Sequence, residues 1–490
     1  MSDLREMQPF QESEAPLAST TLETGSQDDE QGLWEAIRES LRGTHRDYTK
    51  GPIGRSIILL AIPMVLEMLM ESVFVVVDIF WVAHLGADAI ATVGLTESML
   101  TLMYAVAIGL GIGATAMVAR RIGERDPQGA ARAAVQAIAL GLIVSVVVAI
   151  LGVTFSTKLL AAMGGSPWVL EHGSSFTKIM FAENESIFLL FLLSSIFRGP
   201  AHPAIAMRVL WLANVINILL GPCFIFGLGP FPELGLAGAA VATTIGRSTG
   251  VLYAFSRLIR SGGRFDITRQ LVKLEPAVMA RLIRLSATAT FQVFIGMASW
   301  IGLIRTISSF GSDAVAGYTI GIRVIVFALL PSWGMSNAAA TMVGQALGAN
   351  KPDRAERAVW KASFYNMICL GIVGLAFVLF ARQIIGLFTS DPNVVPYGVD
   401  CLRIVASGFL FYAYGMVVTQ SFNGAGDTWT PTIINLFVFW LWELPLAYAL
   451  AIVFGLGPRG VFLAMLIAFS TLAVVSAVIF RRGRWKTKII

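Results

Sequence analysis

Residues 57–82 read IILLAIPMVLEMLMESVFVVVDIFWV, a run whose charged members are Glu67, Glu71 and Asp78. One bilayer crossing takes ~20 mostly apolar residues in a helix, so this stretch can span a membrane. Similar runs fill the chain. Predicted helices lie near 55–82, 89–121, 131–157, 169–199, 203–227 and 235–259, and a second set near 279–309, 315–346, 356–387, 396–424, 428–454 and 459–480. The composition agrees, with 56% hydrophobic and 14% charged residues; soluble domains have ~45–50% and ~25%. A soluble multidomain enzyme, a wholly disordered chain and a nucleic-acid binder acting through the net charge of +5 are therefore excluded.

The two sets of helices repeat at a constant offset of 225. Leu85-Gly86-Ala87-Asp88-Ala89 pairs with Phe310-Gly311-Ser312-Asp313-Ala314, Met117-Val118 with Met342-Val343, and Arg132-Ala133 with Arg357-Ala358. Gly123 pairs with Gly348, Pro127 with Pro352, Gly199 with Gly424 and Gly235 with Gly460. Shared apolarity alone does not align Gly, Pro and Asp. Six helices per repeat is an even number, so both halves enter from the same side. The expected fold is an all-α integral membrane protein, with twelve transmembrane helices in two six-helix bundles. A pseudo-two-fold axis along the membrane normal relates the bundles, and a cleft lies between them near the midplane.

The expected divisions are a cytoplasmic tail with a short amphipathic helix (1–50), an N-terminal bundle (51–270), and a C-terminal bundle with a basic tail (271–490). Residues 1–31 read as disordered. Beyond them Leu33, Trp34, Ile37 and Leu41 share one helical face, suited to lying on a membrane or to a plain lead-in helix. Lys and Arg gather in alternate breaks: Arg120, Arg121, Arg125 and Arg132, then Arg198 and Arg208, then Arg257 to Arg284, Lys351 to Lys361, and Arg481 to Lys488. The break FNGAGDTWTP (422–431) is an exception. By the positive-inside rule both termini face the cytoplasm, and a multi-pass protein of the cell (inner) membrane, a monomer among lipids, is expected.

The strongest candidate site is the stripe Glu67, Glu71 and Asp78. Offsets of 4 and 11 residues leave rotations of about 40° and 20°, so the three carboxylates share one helix face. Acids at membrane depth face a cavity or a partner and mark ion or proton paths, and this helix's own core offers no Lys or Arg. Glu67 or Glu71 instead hydrogen-bonding neighbouring helices while protonated is the plainer alternative. Asn214 and Asn217, one turn apart in the fifth helix, suit a carboxylate, a cation or interhelical bonding. Pro63 and Pro222 each free a backbone carbonyl.

Further buried polar candidates are Glu97, Glu183, Asn184, Glu185, Gln292 and Glu443. Gln292 is the repeat mate of Glu67, which places the chargeable site mainly in the N-terminal bundle. Around Glu443, the rings of Trp440, Trp442 and Tyr448 either stack a flat cationic ligand or pack between helices. The helix cores hold few Lys or Arg beyond Arg305 and Arg323.

Other patterns carry no chemistry. Cys223, Cys369 and Cys401 are scattered through apolar runs, and His45, His84, His172 and His202 have no ligand spacing, so no metal site or cofactor is expected. GLGIGA at 109–114 lies within a helix, where small residues permit close packing. No Walker A sequence is present, which leaves an ion gradient as the energy source. A membrane-embedded enzyme finds no nucleophile–base pattern.

The chain resembles the multidrug and toxic compound extrusion (MATE) family. The likeness rests on VDIFWVAHLG (77–86), GLGIGATAMVARRIGE (109–124), NVINILLGPCFIFGLG (214–229), GLAGAAVATTIGR (235–247), GMSNAAATMVGQALGA (334–349) and NGAGDTWTP (423–431). It implies a V-shaped pair of bundles exporting organic, often cationic, small molecules in exchange for H+ or Na+ by alternating access. The family's coupling aspartate corresponds to Asp78, its fifth-helix asparagine to Asn217 and a sixth-helix threonine to Thr243, so any Na+ is expected at Asp78 and Asn217. Many members carry an aspartate where this chain has Gly221, and some an acid near Gln292; these departures weaken the Na+ reading, since a hard cation needs several oxygens. The alternative is a flippase for lipid-linked oligosaccharides, which expects a cationic cleft.

Overall fold

The computed structural model describes residues 32–43, 48–85, 87–200, 202–260 and 273–488. The expected tail at 1–31 and the expected division near residue 270 lie outside the described residues. Helix is the repeating structure throughout. A short α1 (Gly32–Arg42) precedes α2 (Ile53–Ala83), α3 (Ala87–Gly123) and α4 (Pro127–Ala162). A π-helical turn at Val169–Gly173 leads into α5 (Ser174–Ala182), α6 (Asn184–Arg198), α7 (Pro203–Phe226) and α8 (Leu236–Ile259). The second half comprises α9 (Pro276–Ser308), α10 (Ser312–Gly348), α11 (Pro352–Gly386), α12 (Val395–Ser407), α13 (Phe409–Gly424), α14 (Trp429–Asn435), α15 (Leu444–Tyr448) and α16 (Pro458–Arg481). Two π-helical stretches, Leu436–Glu443 and Ala449–Val453, flank α15.

Among the described residues, 10 helical stretches are long and apolar enough to cross a membrane, or 11 if the bent pair α12–α13 is one span. The remaining expected span coincides with α8, whose 24 residues reach roughly 36 Å at ~1.5 Å per residue. Thr243, Thr244, Arg247, Ser248 and Thr249 lower its apolarity.

Local chemistry explains where the helices begin. Pro127, Pro203, Pro276, Pro352 and Pro458 occupy first turns, where a missing N–H costs nothing. Asp126 caps α4 by accepting a 2.8 Å bond from the Gly129 amide. The 225 offset reappears in the backbone. Both α3 and α10 have 37 residues, and α10 starts and ends 225 positions after α3. The non-glycine residues with left-handed φ, among those described, are Arg125 (61°) and Asn350 (55°), again 225 apart. The α5–α6 break at Glu183 corresponds to the 56° bend at Gly408.

Two large apolar cores follow the halves, one running from Val82 to α8 and taking in Leu282 of α9 from the second half, the other running from Leu303 to Trp485. A third cluster joins them, packing Ile57, Leu60 and Met64 of α2 against Ala338, Ala339 and Met342 of α10, Ala358 and Ala362 of α11, and Val417. The halves meet at the end of the molecule where α2 begins and α3 and α10 finish, here called the basic end. There Gln345 donates to the Gly199 carbonyl at 2.8 Å and Arg120 to the Lys488 carbonyl at 2.9 Å. A short helix, α1, stands where the amphipathic helix is expected; Arg208 donates to its last carbonyls, those of Leu41 and Arg42, at 2.6 and 3.1 Å. The chain then crosses to the other half, where Arg354 donates to the carbonyls of Tyr48, Lys50 and Gly51.

Away from the basic end the same helix faces lose their partners. Met64 of α2 meets Gly334 of α10, whose added Cβ would sit 2.7 Å from the Met64 backbone. Val75 follows 11 residues later, about 20° around the helix, and rises from 1% exposed at Met64 to 43%. On α3, Gly109 faces Thr290 of α9, yet Leu102, on the same stripe, is 57% exposed. On α9, Ile301, on the stripe of Thr290, is 70% exposed. On α10, Arg323, on the stripe of Gly334, is exposed. Four helices that touch at the basic end therefore splay beyond it.

Glycine makes the closed end possible. A Cβ on Gly109 would fall 2.1 Å from the Thr290 hydroxyl oxygen and 2.6 Å from its backbone nitrogen, which cannot yield without shifting α9. Gly109→Val is expected to wedge α3 from α9. A cysteine placed at buried Ser286, opposite Gly113, should then react severalfold faster with a soluble maleimide; unchanged labelling would mean that the contact is not what closes this end.

Candidate functional site

The acid stripe of α2 runs from the closed end toward the splayed one, and its members meet different fates. Glu67 is buried at the level of the closed contact, with its Oε1 2.5 Å from Arg198 Nη2 at the end of α6. Its other oxygen is enclosed and has no hydrogen-bond donor among the described residues. Glu71, one turn on, accepts a 3.1 Å bond from Asn214 Nδ2 of α7. Asp78 is half-buried nearer the splayed end and forms no hydrogen bond or ion pair among the described residues.

The α7–α8 pair supplies the next layer. Asn217 Nδ2 donates to Thr243 Oγ1 at 2.7 Å, and Thr243 passes its own proton to the Ala239 carbonyl at 2.9 Å. The two helices approach closely because of Gly246, whose Cβ would meet the Ala213 carbonyl at 2.4 Å. With its amide nitrogen committed, Asn217 keeps its carbonyl oxygen as an acceptor. At Gly221 an added Cβ would make only an ordinary 3.7 Å contact with Trp81.

Arg247 of α8 anchors the middle of the N-terminal half. Its Nη1 lies 2.9 Å from Glu183 Oε1, and its Nη2 donates to the Tyr104 hydroxyl at 3.1 Å. Ser186 donates to the second Glu183 oxygen. The field of Arg247 also reaches Glu71, Asp78 and Glu97. Glu183, Glu71 and Asp78 thus share one guanidinium, Glu97 also feels Arg323, and Glu67, paired with Arg198, still acts on Glu71. Glu97, expected to be buried, is exposed, and a surplus of carboxyls here attracts cations.

Two of these cations were not recognised in the sequence. Arg198 reads as part of a basic break and Arg247 sits inside the predicted span 235–259, yet both neutralise buried acids from other helices. For Arg247 the signal was present, since a charged residue in the middle of an apolar span calls for a partner. The expectation that the helix cores hold few basic residues beyond Arg305 and Arg323 is corrected accordingly.

The candidates of the second half do not gather. Gln292 is buried with its carbonyl oxygen unpartnered among the described residues. Glu443 is buried at the end of a π-helical stretch, while Trp440, Trp442 and Tyr448 are exposed. Trp440 donates to the Ile295 carbonyl at 3.0 Å, which ties its ring to α9. The rings therefore do not surround the acid. Among the described residues, no group of three or more His, Cys, Asp and Glu side chains is disposed to hold a metal.

Residues 63–223 and 287–449, one block in each half, match the MatE family model. The chain is 26% identical over 407 residues to the probable multidrug resistance protein YoeA of Bacillus subtilis, covering 82% of this chain and 88% of the relative. It is 24% identical over 439 residues to the probable multidrug resistance protein NorM of Thermotoga maritima, covering 89% and 94%. The outward-facing conformation of a multidrug resistance MATE family transporter superposes with a TM-score of 0.84 at 26% identity, covering 90% of this chain and 98% of that one. Two matched blocks, an all-helical membrane fold and a polar centre inside the first half make this chain a membrane transporter of the MatE family.

Proposed function

We propose that the protein is a secondary antiporter that exports organic, cationic or amphipathic compounds in exchange for H+ or Na+. The observation that carries this reading is the alignment of Glu71 and Asp78 on the α2 face that loses its partner beyond the closed end. The basic end is then cytoplasmic, a reading the Lys and Arg distribution supports, and the splayed end opens outward. The 225-residue recurrence of helix ends and left-handed turns supports two bundles related by an axis along the membrane normal. The multidrug-resistance names of the relatives support the substrate class; they give no support to an oligosaccharide flippase.

An incoming cation meets Asp78 first, because that carboxyl lies nearest the splayed end and is uncommitted. Glu71 lies two turns deeper, with Asn214 and Arg247 at hand to stabilise its charged form. Loading these groups removes the negative potential that holds a cationic substrate and frees it to leave outward. The neutralised wall then permits the halves to close at the splayed end and part at the basic end, as alternating access demands. Glu67, bound to Arg198, holds α2 to α6 through this motion. With few free oxygens around Asp78, protons fit the site better than Na+.

The test is efflux of a fluorescent cation from proteoliposomes under an imposed pH gradient and, separately, a Na+ gradient. Dye movement driven by an inward-directed pH gradient is expected. Movement indifferent to both gradients would overturn the exchanger.

A further inference from the structure

We propose that Arg323 of α10 binds an anionic group of the substrate, so that the preferred cargo carries a carboxylate or phosphate as well as a cation. This inference rests on the transport reading above and narrows its substrate class. Arg323 is exposed and, among the described residues, forms no hydrogen bond or ion pair. It lies 11 residues from either end of the sequence Ser312–Gly334, so it sits three turns along α10 from Gly334, the residue in contact with Met64. That separation is roughly 16 Å along the axis and about 20° around it. Pro331 lies between the two residues, and it is the exposure of Arg323 together with the reach of its field to Glu97 of α3 that points the guanidinium toward the first half.

Depth and opposition narrow its role. A guanidinium this far inside a membrane helix is costly against lipid and instead faces water or a polar partner. Arg305 is different: it lies one turn from the end of α9, where its side chain reaches the interface, and it is not part of the proposal. Glu97 of α3 stands within the field of Arg323, and Glu71 and Asp78 lie on the α2 face that loses its partner beyond the closed end. The two walls thus carry opposite charge. A simple cation satisfies the acids and leaves the guanidinium of Arg323 with no hydrogen-bonded anion, whereas an amphoteric molecule pairs with both. Guanidinium's planar fork matches carboxylate and phosphate oxygens two at a time.

Two dyes separate the cases: rhodamine B, whose free carboxylate makes it a zwitterion, and its methyl ester, a plain cation. Binding of each to the purified full chain in detergent is followed by fluorescence polarisation, and their transport by the gradient assay described above. Wild type is expected to bind the free acid about tenfold more tightly than the ester, the scale of one charge-assisted contact. Arg323→Gln should bring the two within about twofold, and Arg323→Lys should keep part of the preference. Equal binding of the two dyes by wild type, or a preference that survives Arg323→Gln, would overturn the proposal. Because binding is read without a gradient, failure of gradient-driven transport alone would count against the exchanger and leave the Arg323 result to stand or fall separately.

Discussion

Asp78→Asn is expected to lower gradient-driven export by roughly one to two orders of magnitude, the range of a typical coupling free energy between two ligands. The substitution keeps the side chain's size and removes its charge. The residue is half-buried and forms no hydrogen bond or ion pair among the described residues, so folding should survive and the loss should fall on coupling. Asparagine mimics the protonated carboxyl permanently, so the variant should still bind dye weakly and exchange it down its own gradient while failing to concentrate it. Measuring both modes in the same vesicles distinguishes lost coupling from lost protein. Full pH-driven accumulation by Asp78→Asn would remove Asp78 from the mechanism and leave Glu71 as the remaining acid of the stripe.

Much of the fold was legible because membrane crossing imposes a length on every helix and the repeat imposes a register. The apolar runs placed each span within a few residues, and the offset of 225 returns in the ends of α3 and α10 and in the turns at Arg125 and Asn350. The departures have local causes. The span expected at 396–424 is bent at Gly408, and the span expected at 428–454 is interrupted by two π-helical stretches.

The site was legible in its faces and hidden in its partners. Rotation at 100° per residue aligned Glu67, Glu71 and Asp78 but could not say which neighbour each would meet along the way. Glu67 meets a guanidinium 131 positions away and Glu183 one 64 positions away, separations that no local period encodes. The grouping of Glu443 with Trp440 failed for a geometric reason. In a π-helical stretch each residue advances by less than in an α-helix, so residues three apart diverge and the acid turns inward while the ring turns out.

Arg247 offers the largest stability effect. Its partner Glu183 is buried, and the guanidinium is also bonded to Tyr104. Removing one member of a buried ion pair typically costs about 3–5 kcal/mol, because the survivor stays charged without compensation. Arg247→Met should therefore lower the thermal stability of the detergent-solubilised protein substantially, and Glu183→Gln should do so to a comparable degree. The double variant Glu183→Gln/Arg247→Met removes both charges at once and should recover at least half of the loss, since an uncharged pair no longer needs solvation. Strict additivity of the two single losses would show that the groups act independently and would deny the pair its place as the support of the polar centre.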